Sequence, residues 1–192
     1  MMAPTNFFGT NPDALERAFL TKGRSLVQGL ENLIRDLEAN DGELLVRLAD
    51  ESAFKVGSDL AATPGKVVFR NRLFELIQYT PSTEKVYNTP LLMFPPWINK
   101  FYILDLRANN SLIRWIVDQG YTLFVVSWVN PDSTYSNVGL EDYIEQGYLE
   151  AIDQVKSICK VKKINALGYC IAGTTLSLVM SIMSQRGDSS LN

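Results

Sequence analysis

Cys170 lies at a junction where a short apolar segment runs directly into a helical one. Residues 163–174 read KINALGYCIAGT. The pattern Gly-x-Cys-x-Ala-Gly is close to the nucleophile elbow, in which a sharp turn lifts a nucleophile above a sheet. The N-terminus of the following helix favours a thiolate there. We predict Cys170 as the nucleophile. Ala172 occupies the second glycine position of the strict pattern, and a buried structural cysteine is the alternative.

The other residues that carry chemistry are few. The chain has two cysteines and no histidine. Two cysteines are too few for a disulfide scaffold. Without histidine they also make no plausible zinc site. Cys159, on a helix before a lysine-rich turn, is predicted to be structural. An imidazole base is not available within these residues, and we predict no metal.

A second candidate feature is the loop PPWINK (95–100) after the apolar segment LLMF (91–94). It stands where nucleophile-elbow folds supply a second oxyanion donor. Its two prolines have no N–H. The next N–H groups belong to Trp97, Ile98 and Asn99. The neighbouring aromatic residues fit either a substrate channel or core packing: Trp97, Phe101 and Tyr102.

Hydrophobic patterning predicts the elements that position these residues. Helical periodicity is found at 24–40, 111–119 and 140–158, in a final helix through Met183, and in a shorter helix that begins at Asn11-Pro12-Asp13. The segments KVVFRN and LFELIQYT predict a hairpin. Continuous apolar strands that alternate with helices predict a buried, mostly parallel sheet. The apolar stripe of 24–40 must pack on something, either the core or a partner.

The turn at 62–65 suggests the domain boundary. We predict a helical N-terminal region over 1–64 and an α/β domain over 65–192. With 18 Lys+Arg against 21 Asp+Glu, the chain offers no basic stripe for nucleic acid. No apolar run approaches the ~20 residues that span a bilayer, and the N-terminus lacks signal-peptide features. We expect a cytoplasmic protein without a transmembrane segment.

Five longer segments are distinctive: FKVGSDLAATPGKVVFRN, LIQYTP, PLLMFPPWINKFYILDL, SLIRWIVDQGYTLFVVSWVNPD and INALGYCIAGTTL. They resemble the polyhydroxyalkanoate synthases, and most closely the class that works with a single type of subunit. The resemblance covers nearly the whole chain, from TNFFGTNPD onward. It implies an α/β-hydrolase fold and an acyltransferase that polymerises (R)-3-hydroxyacyl-CoA into polyester through an acyl-cysteine, with release of CoA.

The resemblance also implies roles for individual residues. Cys170 matches the nucleophile, and Ile171 matches the residue whose N–H faces the oxyanion. Ile98 is a possible donor from the loop. Asp105 matches a recurring acid of uncertain role, for which a turn or cap acid is the alternative. Coenzyme A belongs to the substrate, so no separate cofactor is implied.

The implied partners are the hydroxyacyl-CoA substrate, the growing polyester and a second copy in a homodimer of the full enzyme, at the surface of polymer granules. In this family the triad partners follow the nucleophile in the order Asp, His. Here Asp188 is the only acidic residue after Cys170, and no histidine follows. We therefore expect an internal fragment or a split-gene product that is inactive alone.

The sequence leaves two alternative functions open. The first is a cysteine-nucleophile α/β-hydrolase that acts on small esters and needs only the elbow. The second is a non-catalytic fragment that binds granules or a partner through its N-terminal helices.

Overall fold

The computed structural model describes residues 7, 9–46, 48–50 and 52–192. It divides the chain into two compact units, Met1–Ala53 and Phe54–Asn192. Residues 54–64 group with the second unit, whereas the sequence places the domain boundary after residue 64, and that boundary stays a prediction. Among the helices that the structure describes, none is both long and apolar enough to span a bilayer.

The first unit contains the two predicted N-terminal helices, α1 (Pro12–Leu20) and α2 (Arg24–Ala39). The Asn11 side chain caps α1 by accepting from the Ala14 N–H at 3.0 Å, as the Asn-Pro-Asp pattern predicts. None of the residues of α2 is buried. Five members of its apolar stripe are exposed: Leu26, Val27, Leu30, Leu33 and Ile34. The stripe is therefore not buried by the described residues, and the choice between the core and a partner stays a prediction.

The second unit is built on a five-stranded sheet in the order β1-β2-β6-β3-β7. Its strands are β1 (Gly65–Arg70), β2 (Phe74–Tyr79), β3 (Leu91–Phe94), β6 (Leu123–Trp128) and β7 (Asn165–Gly168). The pairs β1/β2 and β2/β6 are antiparallel, and β3 is parallel to both β6 and β7. The predicted hairpin and the predicted parallel strands are thus confirmed within one mixed sheet. A separate ribbon is formed by β4 (Asp105–Arg107) and β5 (Asn110–Ser111).

Helices cover both faces of this sheet. They are α3 (Leu112–Asp118), α4 (Leu140–Asp142), a π-helix (Tyr143–Leu149), α5 (Glu150–Cys159) and α6 (Ile171–Gln185). Successive strand residues point to opposite faces: Phe94 joins the buried cluster under α5 and α6, while Met93 joins the cluster with Ile113 and Ile116 of α3. The predicted helix at 140–158 is confirmed as one helical segment, with a π-helical stretch that the sequence pattern did not reveal.

Candidate active site

The loop after β3 and the turn after β7 leave the sheet side by side. These strands are adjacent and parallel, with Phe94 in register with Gly168. The Tyr169 N–H donates to the Phe94 carbonyl at 3.3 Å. Because parallel strands end at one edge, the structure brings the PPWINK loop next to the turn that carries Cys170.

Cys170 forms the predicted sharp turn between β7 and α6. Its backbone has φ 59° and ψ −134°, and it is the N-cap residue of α6. A positive φ in a residue with a Cβ costs on the order of 1–3 kcal/mol and persists only where the surroundings enforce it. The Cys170 side chain is exposed. The geometry is that of a nucleophile elbow, with the thiol presented to solvent.

Two glycines allow this turn. A Cβ built on Gly168 would lie 2.6 Å from the Ala172 carbonyl oxygen, and one on Gly173 would lie 2.9 Å from the Gly168 oxygen. Strand and helix therefore approach closely at 168 and 173, while the methyl group of Ala172 is accommodated in the core. The turn accommodates Ala172 at the second glycine position of the strict pattern, because the position where the helix has no room for a Cβ is Gly173. Sequence reasoning missed that role, although Gly173 stands next to Ala172.

Backbone N–H groups are available on both sides of Cys170. Ile171 is the first residue of α6, and the first N–H groups of a helix have no partner within it. In the loop, the Asn99 N–H donates to the Pro96 carbonyl at 3.2 Å. Of the three loop N–H groups predicted as oxyanion donors, that of Asn99 is therefore already bonded. The N–H groups of Trp97 and Ile98 have no hydrogen-bond partner among the described residues, and the Ile98 side chain is 77% exposed.

Asp105 is 1% exposed, and both its carboxylate and its backbone carbonyl accept hydrogen bonds. Its carboxylate accepts from the Thr63 hydroxyl at 2.8 Å and from the Thr63 N–H at 3.2 Å. Its carbonyl accepts from the Ala61 N–H at 2.8 Å. Burial, and secondarily the nearby Asp105 carboxylate, raise the pKa of Tyr79. These contacts tie the segment before β1 to β4, and the side-chain hydrogen bonds found for Asp105 run to Thr63 and not to the elbow.

The remaining candidates lie apart from the elbow chemistry. Cys159, at the end of α5, is half-buried, and burial raises the pKa of its thiol. Asp188 is exposed and accepts from the Ser190 N–H at 2.8 Å in the loop that follows α6. In the described part of the chain, no group of three or more Cys, Asp or Glu side chains could hold a metal ion.

Core packing is found for two of the three aromatic residues near the loop, and the substrate channel stays a prediction. Trp97 and Phe101 pack on the two apolar clusters, and the Trp97 ring lies 5.5 Å from that of Tyr143. Together with Tyr102 they also line a surface cleft of about 250 Å³. This cleft includes Ile98, so it borders the proposed donor loop.

A strained elbow at the carboxyl edge of a mixed sheet, covered by helices on both faces, defines an α/β-hydrolase-type fold with a cysteine at the elbow. Residues 1–116 match the family described as the poly-beta-hydroxybutyrate polymerase (PhaC) N-terminus. The chain belongs to this family, which confirms the resemblance drawn from its motifs.

Full-length relatives extend the similarity past the elbow. The chain is 47% identical over 186 residues to a poly(3-hydroxyalkanoate) polymerase of Methylorubrum extorquens, covering 97% of this chain and 31% of that protein. It is 44% identical over 187 residues to a poly(3-hydroxyalkanoate) polymerase subunit of Cupriavidus necator, with the same two coverages. The chain thus spans 31% of the length of these relatives.

Among solved structures, the chain is similar to a putative lipase from Sulfolobus solfataricus. The identity is 13% and the TM-score 0.46, over 63% of this chain and 46% of that one. The similarity is partial, and the fold assignment stands on the strand order and the elbow.

Proposed function

We propose that this chain is the nucleophile-bearing portion of a poly(3-hydroxyalkanoate) polymerase, in which Cys170 accepts a hydroxyacyl group from coenzyme A. The observation that carries the proposal is the exposed Cys170 thiol, held at a strained elbow with positive φ. The 47% identity to a poly(3-hydroxyalkanoate) polymerase supports the choice of substrate class.

A cysteine suits this transfer better than a serine. Attack of the Cys170 sulfur on an acyl-CoA thioester forms one thioester and breaks another, so the step is nearly balanced in energy and the acyl group stays activated. Transfer of that acyl group to the hydroxyl of a second hydroxyacyl unit then lengthens an ester chain. Each step passes through an oxyanion, for which we propose the N–H groups of Ile171 and Ile98 as donors.

The two half-reactions make different demands on the protein. Loading needs the thiolate and the oxyanion donors, whereas lengthening also needs a base for the incoming hydroxyl. This chain contains no histidine. We therefore propose that it loads Cys170 and does not elongate, and that elongation uses groups supplied by the remainder of a complete polymerase.

The N-terminal unit favours a second role, association with a surface or a partner. The apolar stripe of α2 is exposed, and a stripe of this kind is typical of an association surface. We propose a cytoplasmic protein that acts at the surface of polymer granules, with the growing polyester and a second copy in the complete enzyme as partners. A cysteine hydrolase remains the competing function, since it shares the elbow but releases free hydroxy acid.

Coenzyme A release tests the proposal. Mixed with 3-hydroxybutyryl-CoA, the chain should release at most about one equivalent of CoA per Cys170, because acylation by itself needs only the nucleophile and the oxyanion donors. Adding the remaining portion of a related polymerase as a separate polypeptide should permit turnover and polymer formation. Continuous release of CoA with free hydroxy acid would support the hydrolase instead, and polymer made by this chain alone would show that another residue acts as the base.

A further inference from the structure

The direction of the free N–H groups in the donor loop depends on how its first residues are held. Pro95 and Pro96 have no N–H with which to anchor themselves. The Asn99 N–H closes a turn onto Pro96, which fixes the far end of the loop relative to its start. The Pro96 carbonyl is used within the loop, so the carbonyl of Pro95 is the group of these two prolines that hydrogen-bonds outside it.

That attachment is made by Trp128, the last residue of β6. Its indole Nε1–H donates to the Pro95 carbonyl at 2.7 Å, in a buried environment. The bond is short for an N–H donor, and its loss would leave a buried carbonyl without a partner. The indole is itself 9% exposed. A side chain from the neighbouring strand thus holds the start of the loop, next to the bond from the Tyr169 N–H to the Phe94 carbonyl.

The indole is fixed by aromatic neighbours. Its centroid lies 6.1 Å from that of Phe74 in an edge-on contact, and 5.5 Å from the rings of both Tyr143 and Tyr148. Such contacts hold a ring in one orientation. The direction of the Trp128 N–H is thus determined by the packing of β2 and of the π-helix.

The π-helix leaves room for this ring. A Cβ on Gly147 would lie 3.0 Å from Cζ3 of Trp128 and 3.1 Å from its Cη2, so any larger residue there would press against the indole. The next residue, Tyr148, stacks on Phe94 with centroids 4.2 Å apart. Its hydroxyl lies 3.3 Å from the Ala172 carbonyl, in the first turn of α6. One helical segment therefore contacts the indole, the end of β3 and the elbow helix.

We propose that Trp128 is a positioning residue for acyl transfer: by holding the Pro95 carbonyl, it aims the free N–H groups of the donor loop at the oxyanion. The inference rests on the proposed function, since it requires an acyl group to reach Cys170. In the step concerned, the Cys170 sulfur forms a bond to the thioester carbon, and the C=O electron pair moves to oxygen. Collapse of this oxyanion then breaks the bond to the CoA sulfur, which leaves as a thiolate.

Two reactions of the same sulfur separate positioning from general stability. Alkylation by iodoacetamide displaces iodide from a saturated carbon and forms no oxyanion, whereas acylation by 3-hydroxybutyryl-CoA forms one. Trp128→Phe keeps an aromatic ring but removes the N–H. The ratio of acylation rate to alkylation rate at Cys170 should fall by about tenfold or more, because oxyanion donors act only when correctly placed. Trp115→Phe, at an exposed tryptophan of α3, should leave the ratio unchanged.

The outcomes are distinct. If Trp128→Phe leaves the ratio unchanged, or lowers both rates equally, Trp128 has no positioning role and the inference is overturned, while the proposed function stands. If the wild-type chain is alkylated at Cys170 but never acylated, the proposed function fails, and this inference fails with it. Should Trp128→Phe not fold, Gly147→Leu puts a larger side chain where even an added Cβ would lie 3.0 Å from the indole, which forces the ring away from the Pro95 carbonyl without removing its N–H. It must show the same selective loss of acylation, and an unchanged ratio would overturn the inference equally.

Discussion

Gly168 and Ala172 approach so closely that a Cβ added to Gly168 would lie 2.6 Å from the Ala172 carbonyl oxygen. The obstacle is helix backbone, which cannot swing aside as a flexible side chain can. Gly168→Ala should therefore lower the free energy of unfolding by about 1–3 kcal/mol, the typical cost of overpacking. It should also slow alkylation of Cys170, since the elbow has to open. Urea unfolding and the alkylation rate measure the two effects.

Gly29→Ala is the matched control for that substitution. Gly29 lies within α2, and nothing approaches a Cβ there within 4 Å. Alanine is preferred over glycine in a helix interior by up to about 1 kcal/mol, so Gly29→Ala should be neutral or stabilising. If Gly168→Ala unfolded at the same urea concentration as the wild type, the close approach of strand and helix would be contradicted.

The two cysteines should differ in reactivity. Cys170 is exposed, whereas Cys159 is half-buried and burial raises the pKa of its thiol. Brief alkylation with limiting iodoacetamide at pH 7 should label Cys170 first, as read by peptide mass spectrometry. Because the thiolate is the reactive form, the Cys159 share should grow as the pH rises toward its raised pKa. Cys159→Ser should leave the labelling rate of Cys170 unchanged, and preferential labelling of Cys159 at pH 7 would contradict the assignment.

Asp105 should stabilise the fold rather than take part in chemistry at Cys170. Thr63→Val removes the hydroxyl that donates to this buried carboxylate at 2.8 Å, and loss of a hydrogen bond to a buried charged group costs roughly 1–3 kcal/mol. The free energy of unfolding should fall by that amount, while the alkylation rate of Cys170 in the folded protein stays constant.

Thr134→Val provides the comparison, because Thr134 donates to Asp132 in the same way but at an exposed position. Its effect on stability should stay within about 0.5 kcal/mol, as is usual for surface substitutions. A slower alkylation of Cys170 in Thr63→Val, with no loss of stability, would instead favour a functional role for Asp105.

Much of the fold followed from local patterns in the sequence. The hairpin of β1 and β2, the strand at 91–94 and the elbow at Cys170 each depend on a short stretch whose apolar or small residues have one good arrangement. The cap at Asn11 is likewise local, since its side chain accepts from an N–H three residues ahead.

The parts that the sequence did not reveal depend on distant residues. The bond from Trp128 to Pro95 joins positions 33 residues apart, and that from Thr63 to Asp105 joins positions 42 apart. No periodicity encodes such pairs. The π-helix around Gly147 is equally hidden, because its sequence still fits an ordinary helical pattern. The stripe of α2 shows the converse limit: amphipathic spacing predicted the helix correctly, but it does not say what the apolar face packs against.

The most direct test of the central claim is to locate the acyl group. The chain is incubated with 3-hydroxybutyryl-CoA, quenched in acid to preserve thioesters, digested and analysed by mass spectrometry, with Cys170→Ala as the matched control. A hydroxybutyryl group should be found on the peptide that carries Cys170, at up to about one per chain, and none in Cys170→Ala. Acyl transfer to Cys159, or an unmodified Cys170 in a chain whose Cys170 is readily alkylated, would contradict the proposed role of Cys170.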